Sequence, residues 1–271
     1  MFMDLEYLKT KYKKEKLSSR EIGKLLNCSH RNVLNWLKKY NIKTRSRTEM
    51  QKGKARTSLF DTTYFKSIDS EDKAYFLGFL FADGCIVKNC LKWTSKDLSA
   101  ILSFMSNIKS KNKINYNKIQ DEYRIGLGSV NMTKDLQKLN FCERKAYRMV
   151  FPKIKKPLLS HFIRGYFDGD GCFYVQKSKT TKLPVYPRLE FYSCCEGFLK
   201  SVNRIFDDIG HIRYKAPTHV FTLGFNGKKA LKIIKILYSD SNYYLLRKKQ
   251  KLESYLKLEQ EYVDNGGKIN G

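Results

Sequence analysis

Phe76-Leu77-Gly78-Phe79-Leu80-Phe81-Ala82-Asp83-Gly84-Cys85 is written a second time in this chain as Phe162-Ile163-Arg164-Gly165-Tyr166-Phe167-Asp168-Gly169-Asp170-Gly171-Cys172. Setting Gly78 on Gly165, Asp83 on Asp170 and Gly84 on Gly171 gives one offset of 87 residues. Each copy is an apolar helical run, interrupted by glycine, that ends on aspartate and glycine. A carboxylate at a helix C-terminus meets the negative end of the helix dipole and needs a compensating cation. Gly84 and Gly171 read as helix stops of the glycine C-cap kind. Gly78 and Gly165 clear space for another backbone to approach closely. Two such helices side by side bring Asp83 and Asp170 together, and a divalent metal relieves the repulsion of paired acids.

The doubled motif resembles that of the LAGLIDADG homing endonucleases in their single-chain, two-motif form, over residues 68–258 of the 271. The first copy has Phe81 at the first acidic position of the consensus, and the second has Gly169 in place of alanine. The resemblance implies an α+β core of two pseudo-symmetric half-domains with antiparallel saddle sheets. It also implies a site-specific endonuclease that makes a staggered double-strand break. Asp83 and Asp170, with the backbone at Gly84 and Gly171, would hold Mg2+, with Mn2+ as a substitute. Lys145, 25 residues before Asp170, falls where the family places a basic residue near the scissile phosphate. Lys248 is its second-half counterpart, with Lys249 as a neighbouring alternative, and either could stabilise developing phosphorane charge. His161 reads as a capping or packing residue, and Asp168 as either bonded within its helix end or set behind the metal ligands without touching the metal. The implied partner is duplex DNA with a long pseudo-palindromic site, bound by a monomer. A non-cleaving DNA-binding regulator and an intron RNA maturase are the rival readings.

Composition agrees with a polyanionic partner. Lys and Arg number 53 against 26 Asp and Glu, a net charge of +27. Neutralising phosphates with counterion release is the usual use of such an excess. Apolar residues make up 42%, enough for a packed core, and no apolar run approaches the ~20 residues of a membrane span. The seven cysteines form no CxxC pair, so reduced thiols in a cytoplasmic setting fit best. A bacterium or phage-infected cell is expected, and an organelle is also compatible.

Residues 1–44 read as a separate helical module. Leu5, Leu8 and Tyr12 share one face of a helix over 4–16. Ser18 and Glu21 have capping-box spacing, with Ile22, Leu25 and Leu26 as the buried stripe of the next helix. Ser29 caps a third, striped by Val33, Trp36, Leu37 and Tyr40. Two short helices joined by a tight turn form a helix-turn-helix layout. His30, Arg31, Asn32 and Asn35 lie off the stripe and are the candidates for reading bases. Residues 1–58 hold 16 Lys and Arg against 5 Asp and Glu. Residues 45–60 read as a flexible basic linker, and the half-domains as 61–152 and 153–271.

Each half reads as helix, two strands, helix, two strands, helix. Strands are expected over 85–87, 91–94, 113–118 and 123–128, then over 172–176, 186–192, 211–215 and 220–225. Alternation along them puts Lys113, Asn115 and Asn117 opposite Ile114 and Tyr116, and Gln176 opposite Val175. It puts Arg188 opposite Leu189, and Arg213 with Lys215 on one polar face. With Arg124, these are the candidate DNA contacts of a one-sided polar sheet.

Overall fold

The computed structural model describes residues 4–46, 49, 59–143, 145–177 and 184–264. It divides into two compact units, 1–57 and 58–271.

The first unit is all helical. α1 (Leu5–Lys9) passes into a wider π turn (Thr10–Lys14), followed by α2 (Ser19–Leu25) and α3 (His30–Lys39). The continuous helix expected over 4–16 is therefore two pieces, and Lys16 in the left-handed region ends them. Ser18 and Glu21 complete a reciprocal capping box, and the Ser29 hydroxyl accepts from the Asn32 amide. Leu8, Tyr12, Ile22, Val33, Leu37 and Ile42 form the core. Leu25, expected inside, is exposed. Gly23 explains the tight turn, because a Cβ there would stand 2.7 Å from the Cys28 carbonyl oxygen. Arg45, expected in the linker, is pinned to this unit. Its amide donates to the Tyr12 hydroxyl at 2.9 Å, and its guanidinium lies over the Tyr12 ring and donates to the carbonyls of Lys16 and Leu17.

The second unit contains two halves of identical order. The first is α4 (Glu71–Asp83), β1 (Gly84–Val87), β2 (Cys90–Ser95), α5 (Leu98–Asn107), β3 (Asn115–Asn117), β4 (Glu122–Gly128) and α6 (Val130–Lys138). The second is α7 (Leu159–Asp170), β5 (Gly171–Lys177), β6 (Pro184–Ser193), α8 (Glu196–Ile205), β7 (His211–Lys215), β8 (Val220–Asn226) and α9 (Gly227–Tyr238). Helix α10 (Leu246–Asp264) follows, where sequence pattern gave no separate element. Both sheets are antiparallel, with the equivalent orders β1-β2-β4-β3 and β5-β6-β8-β7. These are the two pseudo-symmetric α/β halves of a saddle.

One apolar core runs through both halves, and α4 packs against α7 at its centre. Their crossing obeys the repeat. A Cβ on Gly78 would stand 1.9 Å from the Phe162 carbonyl oxygen, and one on Gly165 would stand 1.9 Å from that of Tyr75. Tyr75 and Phe162 are themselves 87 residues apart, so the two contacts exchange under the internal twofold. Further along, a Cβ on Gly169 would meet the Ala82 Cβ at 2.2 Å. Positions 82 and 169 are equivalent, and only one of them has room for a methyl group. That accounts for the glycine in the second motif.

Gly84 and Gly171 differ from expectation. Their φ values are −84° and −110°, extended rather than left-handed. Each is the first residue of a strand that leaves the helix without a connecting loop. A Cβ on Gly84 would lie 2.8 Å from the Leu80 carbonyl oxygen, and one on Gly171 2.6 Å from that of Phe167. Glycine is needed here because the chain turns back against its own last helical turn.

Candidate active site and nucleic-acid interface

Because α4 and α7 pack side by side and in the same direction through the crossing, they end together. Asp83 and Asp170 are their last residues. A Cβ on Gly169 would come within 3.6 Å of Asp83 Oδ2, so the first carboxyl lies against the end of the second helix. Asp83 is open to solvent on one side and Asp170 is partly covered. Desolvation by the packed protein behind it, and then repulsion from Asp170, push the Asp83 carboxyl up to about 7. Desolvation also raises Asp170, opposed by the charges of Lys145 and Lys248. Two acids so placed resist double ionisation unless positive charge joins them.

Two lysines supply part of that charge. Lys145 is buried, and its Nζ donates to the carbonyl oxygens of Phe81 and, at 2.7 Å, Ala82. Lys248 Nζ donates to the carbonyl oxygens of Phe167 and, at 2.7 Å, Gly171. Each ammonium thus caps the C-terminal carbonyls of one motif helix, where the dipole requires a cation. Burial lowers Lys145, and burial brings Lys248 down to about 8. The Gly171 carbonyl, expected as backbone support for a metal, accepts from Lys248 on one of its two lone pairs.

Two hard carboxylate donors with solvent access suit Mg2+ or Mn2+ when waters and phosphate oxygens complete the shell. Among the described residues, no group of three or more His, Cys, Asp and Glu side chains gathers as a metal site. The donor set is consequently a sparse one that leaves most ligands to come from outside the protein.

Polar rows cross both sheets. In the second, Tyr174 pairs with Arg188 and Arg188 with Asn226; Gln176 pairs with Tyr186. Arg213 pairs with Thr222, and Lys215 with Val220. Gln176, Arg213 and Lys215 are exposed and Arg188 is half-buried. Arg213 also reaches the buried Glu190 at 3.3 Å, and Lys215 lies over the Tyr192 ring. In the first sheet, Asn115 pairs with Arg124, and Arg124 with Thr94. Lys113 lies outside β3, which begins at Asn115, and Tyr116, expected inward, is exposed. Asn117 is tied into the hairpin by bonds with Gln120 and the Ile119 amide. Arg124 is bonded to Glu122 and Gln120. Within the helical unit, His30, Arg31, Asn32 and Asn35 are all exposed on α3.

Some important residues gave only weak sequence signals. Arg164, an apparent charge in an apolar helix, is buried and donates to the carbonyls of Tyr243 and Leu237 and to Glu71 Oε1, each at 2.7 Å. Glu71 also accepts from the Asn242 amide and side chain, so the start of the first motif helix holds the segment leading to Lys248. His161 sits 3.0 Å from the Arg164 guanidinium and serves this packing. Asp168 is completely buried and bonded to partners from three other segments, rather than within its own helix end. Arg247 forks onto Asp97 of the first half at 2.9 Å.

Residues 163–262 match the family model described as LAGLIDADG endonuclease. Among solved structures, the LAGLIDADG homing endonuclease I-GzeII in complex with its DNA target superposes with a TM-score of 0.51 at 12% identity, covering 73% of this chain and 92% of that one. I-SmaMI bound to uncleaved DNA target in the presence of calcium ions gives a TM-score of 0.51 at 12% identity, over 73% of this chain and 93% of the other. At such identity the superpositions speak for fold. No curated protein sequence matches the chain. Residues 163–262 thus carry the sequence match to the LAGLIDADG endonuclease family, and the first half repeats their motif and fold.

Proposed function

We propose that the protein is a metal-dependent, site-specific DNA endonuclease that cuts both strands of a long pseudo-palindromic site as a monomer. The supporting observation is the meeting of Asp83 and Asp170 at the ends of one helix pair, with Lys145 and Lys248 capping the same ends. This junction is also where both sheets begin, so residues on the polar rows and the acids can address one duplex. I-GzeII in complex with its DNA target and I-SmaMI bound to uncleaved DNA target share this fold and support duplex DNA as the substrate.

In this reading the two carboxylates hold Mg2+, which when bound would polarise a phosphate and generate the attacking hydroxide. The chain's own contribution is electrostatic and positional. Lys145 and Lys248 place positive charge beside the phosphate, where negative charge grows during attack. Arg188, Arg213, Lys215, Gln176, Lys113 and Asn115 bear on the grooves and backbone. Asn117 and Arg124 act mainly by shaping the β3–β4 hairpin. His30, Arg31, Asn32 and Asn35 read a flanking segment from the helical unit.

The test is cleavage of a randomised duplex library by the purified chain, with and without Mg2+ or Mn2+. Enrichment of one cut site with both strands broken is expected only with metal. A protein that enriches a bound site but cuts no library member in either metal is a regulator, and the nuclease reading fails.

A further inference from the structure

The two motif helices align at one offset on their glycines and terminal acids, yet Asp168 stands where the first copy has Phe81. Phe81 is packed among rings, with centroids 5.4 Å from Phe141, 5.3 Å from Phe162 and 6.0 Å from Phe198. Asp168, also fully buried, is held by hydrogen bonds instead. Its Oδ2 accepts from the Tyr75 hydroxyl and from the Leu245 amide, each at 2.8 Å, and its Oδ1 accepts from the Tyr238 hydroxyl. A buried carboxylate is costly unless satisfied in this way, and losing one partner leaves the others uncompensated.

The Leu245 contact leads to the reacting centre. Leu245 precedes α10, and its carbonyl oxygen accepts from the Lys248 amide at 3.0 Å. Lys248 then turns its Nζ onto the carbonyls of Phe167 and Gly171, which flank Asp168 and Asp170. A closed ring results: Asp168 fixes Leu245, Leu245 fixes the Lys248 backbone, and the Lys248 ammonium returns to the helix that carries Asp168. Among the described residues, the first half has no such ring. Lys145 lies in a short 3-10 turn, and nearby Glu143 accepts from the Lys88 amide at 2.8 Å, tying that segment to the β1–β2 turn.

We infer that Asp168 is a positioning residue for Lys248, and that the two halves orient their lysines by different means. The consequence for one strand follows from the internal twofold, which pairs each lysine with its own helix end and hence with one strand of a duplex. This strand-specific consequence rests on the nuclease reading; the placement of Lys248 does not.

Two measurements separate these claims. In the first, lysine acylation of the full-length, metal-free chain is read by mass spectrometry. Asp168→Asn should raise the labelling rate of Lys248 several-fold over the parent while leaving Lys145 unchanged. No change at Lys248, or an equal rise at both lysines, overturns the inference whether or not the protein cuts DNA. In the second, single-turnover cleavage of a target labelled separately on each strand is followed. Lys248→Met identifies the strand that Lys248 serves. Asp168→Asn should slow that strand ~10–100-fold, as expected for a misplaced catalytic group, change the other less than ~3-fold, and accumulate nicked product. Adding Asp168→Asn to Lys248→Met should slow that strand little further, because both act on one element. Equal slowing of both strands, or additive effects, refutes the positioning role. Tyr238→Phe removes one donor to Asp168 without changing its charge. Should Asp168→Asn fail to fold, Tyr238→Phe must show the same bias in milder form, and unbiased cutting and labelling by it would overturn the inference.

Discussion

Asp83 retains its proton to about pH 7 because protein is packed behind it and Asp170 is close. Its ordinary value is 3.8, so the folded state binds a proton that the unfolded chain has released between these limits. The metal-free protein should therefore lose stability as pH rises from 4 to about 7, with no further loss from this group above that. Solvent access to Asp83 screens the effect, so a modest change is expected. Urea denaturation from pH 4 to 8 checks it: Asp83→Asn should match the parent near pH 4 and exceed its stability by a margin that grows to about pH 7 and then levels off. Saturating Mg2+ at pH 8 should restore the parent, since a ligand that binds only the native state stabilises it. A parent–variant difference independent of pH would remove the repulsion argument. Catalysis should respond oppositely. Asp83→Asn or Asp170→Asn should abolish double-strand cutting while target binding is equal or tighter, because a negative charge facing phosphate is gone. Full Mg2+-dependent cutting by either variant, in the same labelled-duplex assay, would reverse the assigned roles.

At the scale of elements, the α4–α7 crossing decides the position of the site. Gly78 and Gly165 each touch a backbone carbonyl of the facing helix, and backbone cannot swing aside as a side chain can. Gly78→Ala and Gly165→Ala should each cost on the order of 3 kcal/mol or more, the upper end for overpacking, although alanine is the better helix former. Guanidinium titration measures this, and stability within ~0.5 kcal/mol of the parent would show the crossing to be looser than described. Ala82→Gly should be mild by comparison, because it only enlarges the space that Gly169 already leaves. The lysines belong to the same level of organisation. Lys145 arrives in the connection after α6 and Lys248 in the first turn of α10, so their placement depends on how those segments return to the helix ends.

For the whole molecule, charge is distributed unevenly between the units. Residues 1–58 carry 16 Lys and Arg against 5 Asp and Glu, within a total of +27. Each phosphate neutralised contributes about −0.9 to the slope of log K against log salt. If α3 reads bases beside the site of the second unit, deleting residues 1–58 should make the salt dependence visibly shallower and shorten the footprint. Cutting at saturating protein should be unaffected, since Asp83, Asp170, Lys145 and Lys248 all lie in the other unit. Fluorescence anisotropy over a salt series and nuclease footprinting test this; an unchanged slope and footprint would mean that the helical unit does not bind the target.

The sequence by itself determined the doubled motif, the α+β order of each half and the paired acids, because each is carried by local period or by exact repetition. The capping box at Ser18 and Glu21 was legible for the same reason: both partners lie within one turn. Tertiary structure alone decided the extended φ of Gly84 and Gly171, the glycine at 169 and the buried bonds of Asp168, Arg164 and Glu71. Those depend on neighbours far away in the chain: Asp168 meets Tyr75 at a separation of 93 residues and Leu245 at 77. Spacing within a segment cannot report which distant donor a buried carboxylate will find. It also cannot show that Asn117 and Arg124 turn inward to their own hairpin, because strand alternation assigns a face and hydrogen-bond competition then decides what remains free on it.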